Sequence, residues 1–256
     1  MRHAAVTPAG DRIRWIEHPG DGTGRPARVY LHGLGASSPV YWSATAAHPL
    51  LAGPRALLLD LLGFGISDRP AAFPYTMEAH ADAVAAALEA AGVSGAQVVA
   101  HSMGGTVAVL LAARHPRLVS RLVLVDANLD ALEPERGAGG SRGIAARTAE
   151  EFRTGDAETA AATGSEWWAT MRLAGRDAVH RSAVDLVRGT TPSVREVLCG
   201  LPVPRTFLYP ADDGPFPGAD GLTAAGVAVV GLPGCGHNMM LDAPEEFARA
   251  TAAALA

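Results

Sequence analysis

The chain has 256 residues, 48% of them hydrophobic, with a formal net charge of -5 and an isoelectric point near 6.0. This length can bury one sizeable core, so we expect a single domain. Phosphate binding needs clustered basic side chains, whereas the 21 basic residues here, all arginines, are scattered among acids, so nucleic acid is not an expected partner. No segment has the apolar length of a signal peptide or a membrane span, and we expect a cytoplasmic protein with no membrane partner.

Short apolar runs separated by helical segments predict an α/β domain with a mostly parallel sheet. Residues Arg12–Glu17 alternate polar and apolar, as an antiparallel edge strand with one solvated face would. Six later runs have apolar residues in consecutive rather than alternate positions, which is what strands covered by helices on both faces require. These runs are Arg28–Leu31, Ala56–Asp60, Ala96–Ala100, Leu122–Val125, Thr206–Tyr209 and Val227–Val230.

Helices are predicted between these strands. Thr76 is placed to cap a helix from Met77 to Ala91, and a second helix from Met103 to Arg114 ends before Pro116. No strand-like run appears between Leu129 and Leu201. That stretch instead predicts three helices, Ile144–Phe152, Glu158–Leu173 and Asp177–Arg188. Residues 131–200 therefore interrupt a core made of residues 1–130 and 201–256.

A serine lies at one of the predicted strand-to-helix turns. The strand before it is β-branched, Ser102 follows, and the helix after it opens with Met103 and two glycines. A serine on so tight a turn is strained, so its hydroxyl projects beyond the sheet while the helix N-terminus directs free amides at any negative charge beside it. The usual pattern Gly-x-Ser-x-Gly has glycine where this chain has Ala100. Serine also caps helices, but the other motifs favour a nucleophile.

Two glycine loops complete the pattern. The first is His32-Gly33-Leu34-Gly35, which follows a strand and can turn a backbone N–H toward the serine. The second carries His237 after the last strand, ahead of a helix begun by Pro244. Together with the segment from Asp60 to Asp68, these motifs resemble the α/β-hydrolase superfamily over essentially the whole chain.

The resemblance implies an eight-stranded sheet and makes residues 131–200 a helical cap over the active site. It also implies a catalytic triad in the chain order serine, acid and histidine, with Ser102 as nucleophile and His237 as general base. The oxyanion hole would consist of the backbone N–H groups of Leu34 and Met103.

Two aspartates compete for the role of triad acid. Most members of the superfamily place the acid after the seventh strand, where Asp213 stands at the usual offset. Others place it at the end of the sixth strand, where this chain has Asp126. The phrase around Asp126 and Asn128 resembles a subgroup with an acid and an asparagine after strand six, whose members often lack an aspartate after strand seven. We therefore predict Asp126 and keep Asp213 as the alternative.

Gly33, Trp42 and Trp168 are the expected substrate-binding residues, and Trp167, which forms a pair with Trp168, is a further candidate. Each tryptophan is equally consistent with plain core. We expect a cofactor-independent serine hydrolase acting on a small or medium, largely apolar carboxylic ester or thioester. The alternatives are a biosynthetic lactonase or cyclase, a C–C hydrolase or a perhydrolase on the same triad, and, less consistent with the retained triad residues, a non-catalytic ligand-binding protein. No cysteine and histidine spacing resembles a zinc site, so no metal is expected. The expected partner is a small-molecule substrate, and the sequence carries no prediction of oligomeric state.

Overall fold

The structure, a computed structural model, describes residues 1–155 and 167–256. Its strands are β1 (Arg2–Ala5), β2 (Arg12–His18), β3 (Arg28–Leu31), β4 (Ala56–Asp60), β5 (Ala96–His101), β6 (Val119–Val125), β7 (Arg205–Pro210) and β8 (Val227–Leu232). They form one sheet in the order β1-β2-β4-β3-β5-β6-β7-β8. Strand β2 pairs antiparallel with β1 and with β4, and every other pairing is parallel. The predicted mostly parallel, eight-stranded sheet is confirmed. Strand β1, with a single buried side chain at Ala4, is too short and too exposed for its sequence to predict.

Helices pack on the sheet and beyond its edge. They are α1 (Ser38–Ala47), α2 (Met77–Ala90), α3 (Met103–Arg114), α4 (Gly140–Ala145), α5 (Ala149–Thr154), α6 (helical over the described residues 167–171), α7 (Arg176–Arg188), α8 (Val194–Gly200), α9 (Ala219–Ala224), α10 (Met239–Asp242) and α11 (Pro244–Leu255). Within the described ranges, none of them combines the length and the apolar character that crossing a bilayer requires.

Both faces of the sheet are buried, because alternate strand residues point to opposite sides. On one face Tyr30 packs in a cluster with Trp42 of α1 and Phe247 of α11. On the other face the neighbouring Val29 belongs to the cluster that includes Val107 of α3. This burial on two sides explains why the central strands are apolar throughout.

Residues 131–200, called the cap segment below, contain α4 to α8 and, in their described part, no strand. The prediction of one helix from Ile144 to Phe152 is wrong, since α4 and α5 are separate. The reason is a capping box at Thr148, which begins a new helix. The Thr148 hydroxyl accepts a hydrogen bond from the backbone N–H of Glu151, and the Glu151 carboxylate accepts one from the backbone N–H of Thr148. The predicted helix Glu158–Leu173 falls partly outside the described residues, and α6 is its described portion.

The chain folds so that four strands end at one edge of the sheet. Strands β3, β5, β6 and β8 run parallel, so the residues that follow them gather at their carboxyl ends. These following residues are the loop starting at His32, then Ser102, Asp126 and the loop carrying His237.

Candidate active site

Ser102 occupies a strained turn between β5 and α3. Its backbone angles are φ 51° and ψ -123°, a region that a non-glycine residue rarely adopts. Its side chain makes no capping hydrogen bond to the helix, so the structure does not support the helix-cap interpretation. The helix start also packs closely on the sheet edge, because a Cβ atom on Gly104 would lie 2.4 Å from the carbonyl oxygen of His32. Glycine is therefore required there, and the turn holds the Ser102 hydroxyl at the edge.

His237 is paired with Asp126. The Nδ1–H of His237 donates a hydrogen bond to Oδ2 of Asp126 at 2.6 Å. Asp126 directly follows β6 and, like Ser102, has a positive φ, 44°. Asp213 lies in the exposed 3₁₀ turn Ala211–Asp213 after β7. The structure thus brings Asp126, and not Asp213, against the histidine.

The serine hydroxyl has a partner that the sequence did not single out as a site residue. Ser102 Oγ donates to Oδ1 of Asn128 at 3.3 Å. The backbone of Asn128 is itself fixed, because its carbonyl oxygen accepts from the Thr106 hydroxyl at 2.7 Å. The position of an amide side chain two residues beyond the strand-end acid was the available signal for this contact.

His101 supports the loop that carries His237. Its Nε2–H donates to the backbone carbonyl of His237 at 3.0 Å, and the two ring centroids are 4.5 Å apart. Tyr41 stacks on His101 with a centroid separation of 6.2 Å. Burial lowers the pKa of His101 well below its ordinary value, so the ring is neutral and serves as a spacer rather than a proton carrier.

His32 organises the early glycine loop. Its Nδ1–H donates to the carbonyl oxygen of Gly33 at 2.7 Å, and its Nε2 accepts from the backbone N–H of Leu61 at 3.1 Å. This pattern needs a neutral ring, consistent with the full burial of His32, which lowers its pKa. Gly33 then passes close to Ser102, because a Cβ atom on Gly33 would lie 3.1 Å from that of Ser102.

The two expected oxyanion donors, the backbone N–H groups of Leu34 and Met103, directly follow Gly33 and Ser102, which are in close contact. Leu34 and Met103 are both buried, and neither backbone N–H donates a hydrogen bond to another described residue. The amide of Met103 begins α3, where the first N–H groups have no partner within the helix. Both N–H groups are therefore available to a negatively charged oxygen beside Ser102.

A cavity of about 430 Å³ opens above Ser102. Its walls come from the loops at the sheet edge and from the cap segment. The lining residues are Gly33, Leu34, Ala36, Tyr41, His101, Ser102, Asn128, Leu132, Gly139, Gly140, Ser141, Arg142, Trp167, Leu186, His237 and Asn238. Arg142 is the arginine in this lining, and it is already paired with Glu135 at 2.5 Å. Among the other described lining residues none is acidic and none is a second arginine, and the ring of His101 is neutral.

Two of the expected substrate-binding residues lie away from this cavity. Trp42 is fully buried, and its indole N–H donates to the carbonyl oxygen of Leu31 at 3.2 Å, so it is a core residue. The preceding residue, Tyr41, lines the cavity instead, because successive helical residues point about 100° apart. In the cap segment Trp168 packs under the guanidinium of Arg176, 5.1 Å from its ring centroid, and Trp167 lines the cavity.

In the part of the chain that the structure describes, no three metal-ligating side chains form a cluster. Cys235 is buried, and its thiol donates to the carbonyl oxygen of Leu232 at 3.3 Å. Burial also raises the pKa of this thiol, which keeps it protonated.

The sheet order, the strained serine turn and the cavity at the strand ends are those of a hydrolase superfamily. The chain belongs to the family described as alpha/beta hydrolase fold, whose pattern matches residues 27–173, more than half of the chain.

Curated relatives match over a shorter part. A 2-hydroxymuconate semialdehyde hydrolase of Pseudomonas putida is 36% identical over 104 residues, 41% of this chain and 37% of that protein. Lipase 3 of a Moraxella species is 33% identical over 119 residues, 46% of this chain and 36% of that protein. The matched segments thus span little more than a third of these relatives.

Solved structures share the fold over nearly the whole length. An esterase from Exiguobacterium antarcticum has a TM-score of 0.81 at 20% identity, covering 100% of this chain and 99% of the other. The enol-lactonase from Burkholderia xenovorans LB400 also has a TM-score of 0.81, at 22% identity and 99% coverage of both chains. Because both sequence identities are low, these similarities show the shared fold and nothing beyond it.

Proposed function

We propose that this hydrolase cleaves a small or medium, largely apolar carboxylic ester or thioester through an acyl-enzyme on Ser102. The observation that supports this most directly is the 2.6 Å contact between His237 Nδ1 and Asp126, beside a cavity that also exposes the strained Ser102. Such a pair holds the imidazole with Nε2 unprotonated, ready to accept a proton.

In the proposed reaction the Ser102 hydroxyl leaves Asn128 and turns to His237 Nε2, which takes its proton as Oγ attacks the carbonyl carbon. The carbonyl oxygen becomes negative and accepts hydrogen bonds from the N–H groups of Leu34 and Met103. Asp126 stabilises the imidazolium that forms. His237 then gives its proton to the departing alkoxide or thiolate, and the acyl group stays on Ser102.

Hydrolysis of the acyl-enzyme needs water beside His237. This side chain is 53% exposed, so water has access to the imidazole ring. The histidine deprotonates that water, hydroxide attacks the acyl carbon, and the proton returns to Ser102 as the acid leaves.

The cavity supports the proposed substrate class. A volume of about 430 Å³ lies within the range of small-molecule sites, about 300–1,000 Å³, at its lower end. Leu34, Leu132 and Leu186 give it apolar walls. Arg142, the arginine among the described lining residues, is engaged by Glu135, so an uncharged acyl or alcohol group fits this wall.

A C–C hydrolase is the second candidate, because the Pseudomonas putida relative carries that kind of substrate in its name. The same nucleophile and base would then act on a carbonyl group, and the adjacent carbon would leave and take up a proton as the C–C bond breaks. Parallel assays with 2-hydroxymuconate semialdehyde and with p-nitrophenyl esters distinguish the two functions. A C–C hydrolase should prefer the semialdehyde, and an ester hydrolase should prefer the p-nitrophenyl esters.

The test of the proposal combines a series of p-nitrophenyl esters of increasing acyl length with a fluorophosphonate probe. Short and medium esters should be hydrolysed, and mass spectrometry should find the phosphonyl group on Ser102. Ser102→Ala should lose both activities by orders of magnitude. Ser141→Ala, which alters another serine of the cavity wall, is the matched control and should keep both. Turnover by Ser102→Ala of about a tenth of wild type or more would refute the acyl-enzyme.

A further inference from the structure

Trp167 joins the cap segment to the loop that carries one proposed oxyanion donor. Its indole Nε1–H donates a hydrogen bond to the carbonyl oxygen of Leu34 at 2.6 Å. Trp167 also lines the cavity. One side chain therefore contacts both the substrate space and the oxyanion loop.

The loop is held from two sides. The carbonyl oxygen of Gly33 accepts from His32 Nδ1 at 2.7 Å and from the backbone N–H of Ala36 at 3.1 Å, both groups of the core. Among residues 1–155 and 167–256, the hydrogen bond to the Leu34 carbonyl comes from Trp167 alone. The core thus fixes the peptide before Leu34, which carries the Leu34 N–H. The cap segment fixes the peptide after Leu34, which is the central peptide of the turn closed by the Ala36 N–H.

Close packing accompanies this hydrogen bond. Gly35 has φ +68°, and a Cβ atom there would lie 2.9 Å from Trp167 Nε1 and 2.9 Å from Cε of Met171. The indole and the thioether therefore rest against the α-carbon of Gly35. Because no side chain fits between them, the loop and α6 have complementary shapes as well as a shared hydrogen bond.

We propose that Trp167 is a positioning residue of the oxyanion hole, which links the fit of the substrate in the cavity to the rate of the chemical step. The inference rests on the function proposed above. A substrate that packs against the indole leaves the bond to Leu34 intact. One that displaces the indole frees the peptide after Leu34, the central peptide of the turn that the Ala36 N–H closes on the Gly33 carbonyl. When this turn loosens, the peptide before Leu34 loses one of its two restraints, so the Leu34 N–H that it carries loses its alignment with the developing oxyanion. Trp167 touches no reacting atom, so its effect appears in kcat more than in KM.

The experiment compares Trp167→Phe with Trp168→Phe on p-nitrophenyl acetate. Phe keeps an aromatic ring at position 167 but removes the N–H donor. Trp168 is the matched control, since it is the next residue and contacts Arg176 instead. We expect Trp167→Phe to lower kcat roughly 10-fold, less than the ~10²–10³ lost when an oxyanion donor itself is removed. KM should change by less than about twofold, and Trp168→Phe should leave both constants within about twofold of wild type.

A trifluoromethyl ketone supplies a readout that a general packing defect would not move. Its adduct with Ser102 places an oxyanion in the hole, so its inhibition constant should rise by the factor by which kcat/KM falls. A kcat for Trp167→Phe within about twofold of wild type, or a fall in kcat without weaker ketone binding, would overturn the proposal. If Trp167→Phe does not fold, the benzothiophene analogue of tryptophan at position 167 removes only the N–H and must give the same loss. A wild-type protein that neither hydrolyses the ester nor is labelled at Ser102 would instead refute the proposed function, and this inference with it.

Discussion

Gly105 and Ala127 are in such close contact that a Cβ atom on Gly105 would lie 2.4 Å from that of Ala127. Ala127 directly follows Asp126, so the first turn of the nucleophile helix packs against the loop that carries the proposed acid. The hydrogen bond from Thr106 to the carbonyl of Asn128 fastens the same loop. The relative position of Ser102 and Asp126, the proposed nucleophile and acid, therefore depends on the absence of a Cβ atom at Gly105.

Gly105→Ala should lower kcat by about 10- to 100-fold, because the added methyl displaces the Asp126 loop and misplacement by about 1 Å can cost 10²-fold. Steady-state kinetics on p-nitrophenyl acetate measures the effect. Gly221→Ala in α9 is the control, since its new Cβ meets nothing within 4 Å, and it should leave kcat unchanged. Normal turnover in Gly105→Ala would show that the loop yields without moving the carboxylate.

Asp126→Asn and Asp213→Asn should differ sharply. Replacing the carboxylate that accepts from His237 Nδ1 leaves the imidazole in the wrong tautomer and its charge uncompensated, a loss on the order of 10⁴ in kcat in the best-studied triad. Asp213 is exposed on its turn, so its substitution should cost little. The comparison uses kcat of both variants on one short ester. Collapse in Asp213→Asn with near-normal Asp126→Asn would reverse the assignment.

Substitution of Trp42 should lower stability without changing ester-length selectivity, whereas substitution of Tyr41 should change that selectivity. Trp42→Phe leaves a gap in a closed core and removes the donor to Leu31, so the free energy of unfolding should fall by about 1–3 kcal/mol in urea titration. Its ratio of kcat/KM between long and short esters should stay at the wild-type value. Tyr41→Leu reshapes the cavity wall and should change that ratio. A changed ratio in Trp42→Phe would place this residue in the substrate path after all.

Stability should fall in acid because of buried neutral histidines. Burial lowers the pKa of His80 from its ordinary 6.5 to about 3. Between these values the unfolded chain binds a proton that the folded chain does not, so the free energy of unfolding decreases as pH falls below 6.5, by up to about 1.4 kcal/mol per pH unit for this group. The contribution is fully present above 6.5.

Urea titrations at several pH values check this expectation. His80→Gln should flatten the decline in acid while lowering stability at neutral pH, since its hydrogen bond to Ser182 and its contacts with the surrounding aromatic rings are altered. His3→Gln, at an exposed histidine, is the control and should follow wild type. An unchanged acid slope in His80→Gln would mean that this ring does not titrate on unfolding.

Local patterns were sufficient to predict most of the sheet. The central strands are apolar on both faces, so their runs stand out, and Ser102 and the His237 loop follow them in a recognisable order. Strand β1 escapes prediction because it is short and mostly exposed, and its pairing with β2 supplies its stability.

The lining of the cavity was harder to predict, because it depends on the direction of a side chain rather than on its type. Tyr41 and Trp42, like Trp167 and Trp168, are adjacent aromatic pairs, and sequence alone does not tell which member turns inward. Trp42 was predicted to bind substrate but packs in the core, and its neighbour Tyr41 meets the cavity. Of the two candidates in the second pair, Trp167 meets the cavity and Trp168 packs against Arg176. Asn128 reaches Ser102 only because the turn after β6 is brought beside α3 by the tertiary packing at Thr106.

The pairing of β5 with β6 sets His101 opposite Val125, the last residue of each strand, and the backbone N–H of Ser102 donates to the carbonyl of Val125 at 2.9 Å. Ser102 and Asp126, the proposed nucleophile and acid, consequently follow paired ends of adjacent strands, and residues 131–200 can change without altering that spacing. The cap segment enters beyond these strand ends. Its exchange for another helical insertion would leave the serine and its acid where they are, but would remove the indole that steadies Leu34. A replacement for the cap segment would therefore have to supply a new hydrogen-bond donor to the Leu34 carbonyl in the early glycine loop.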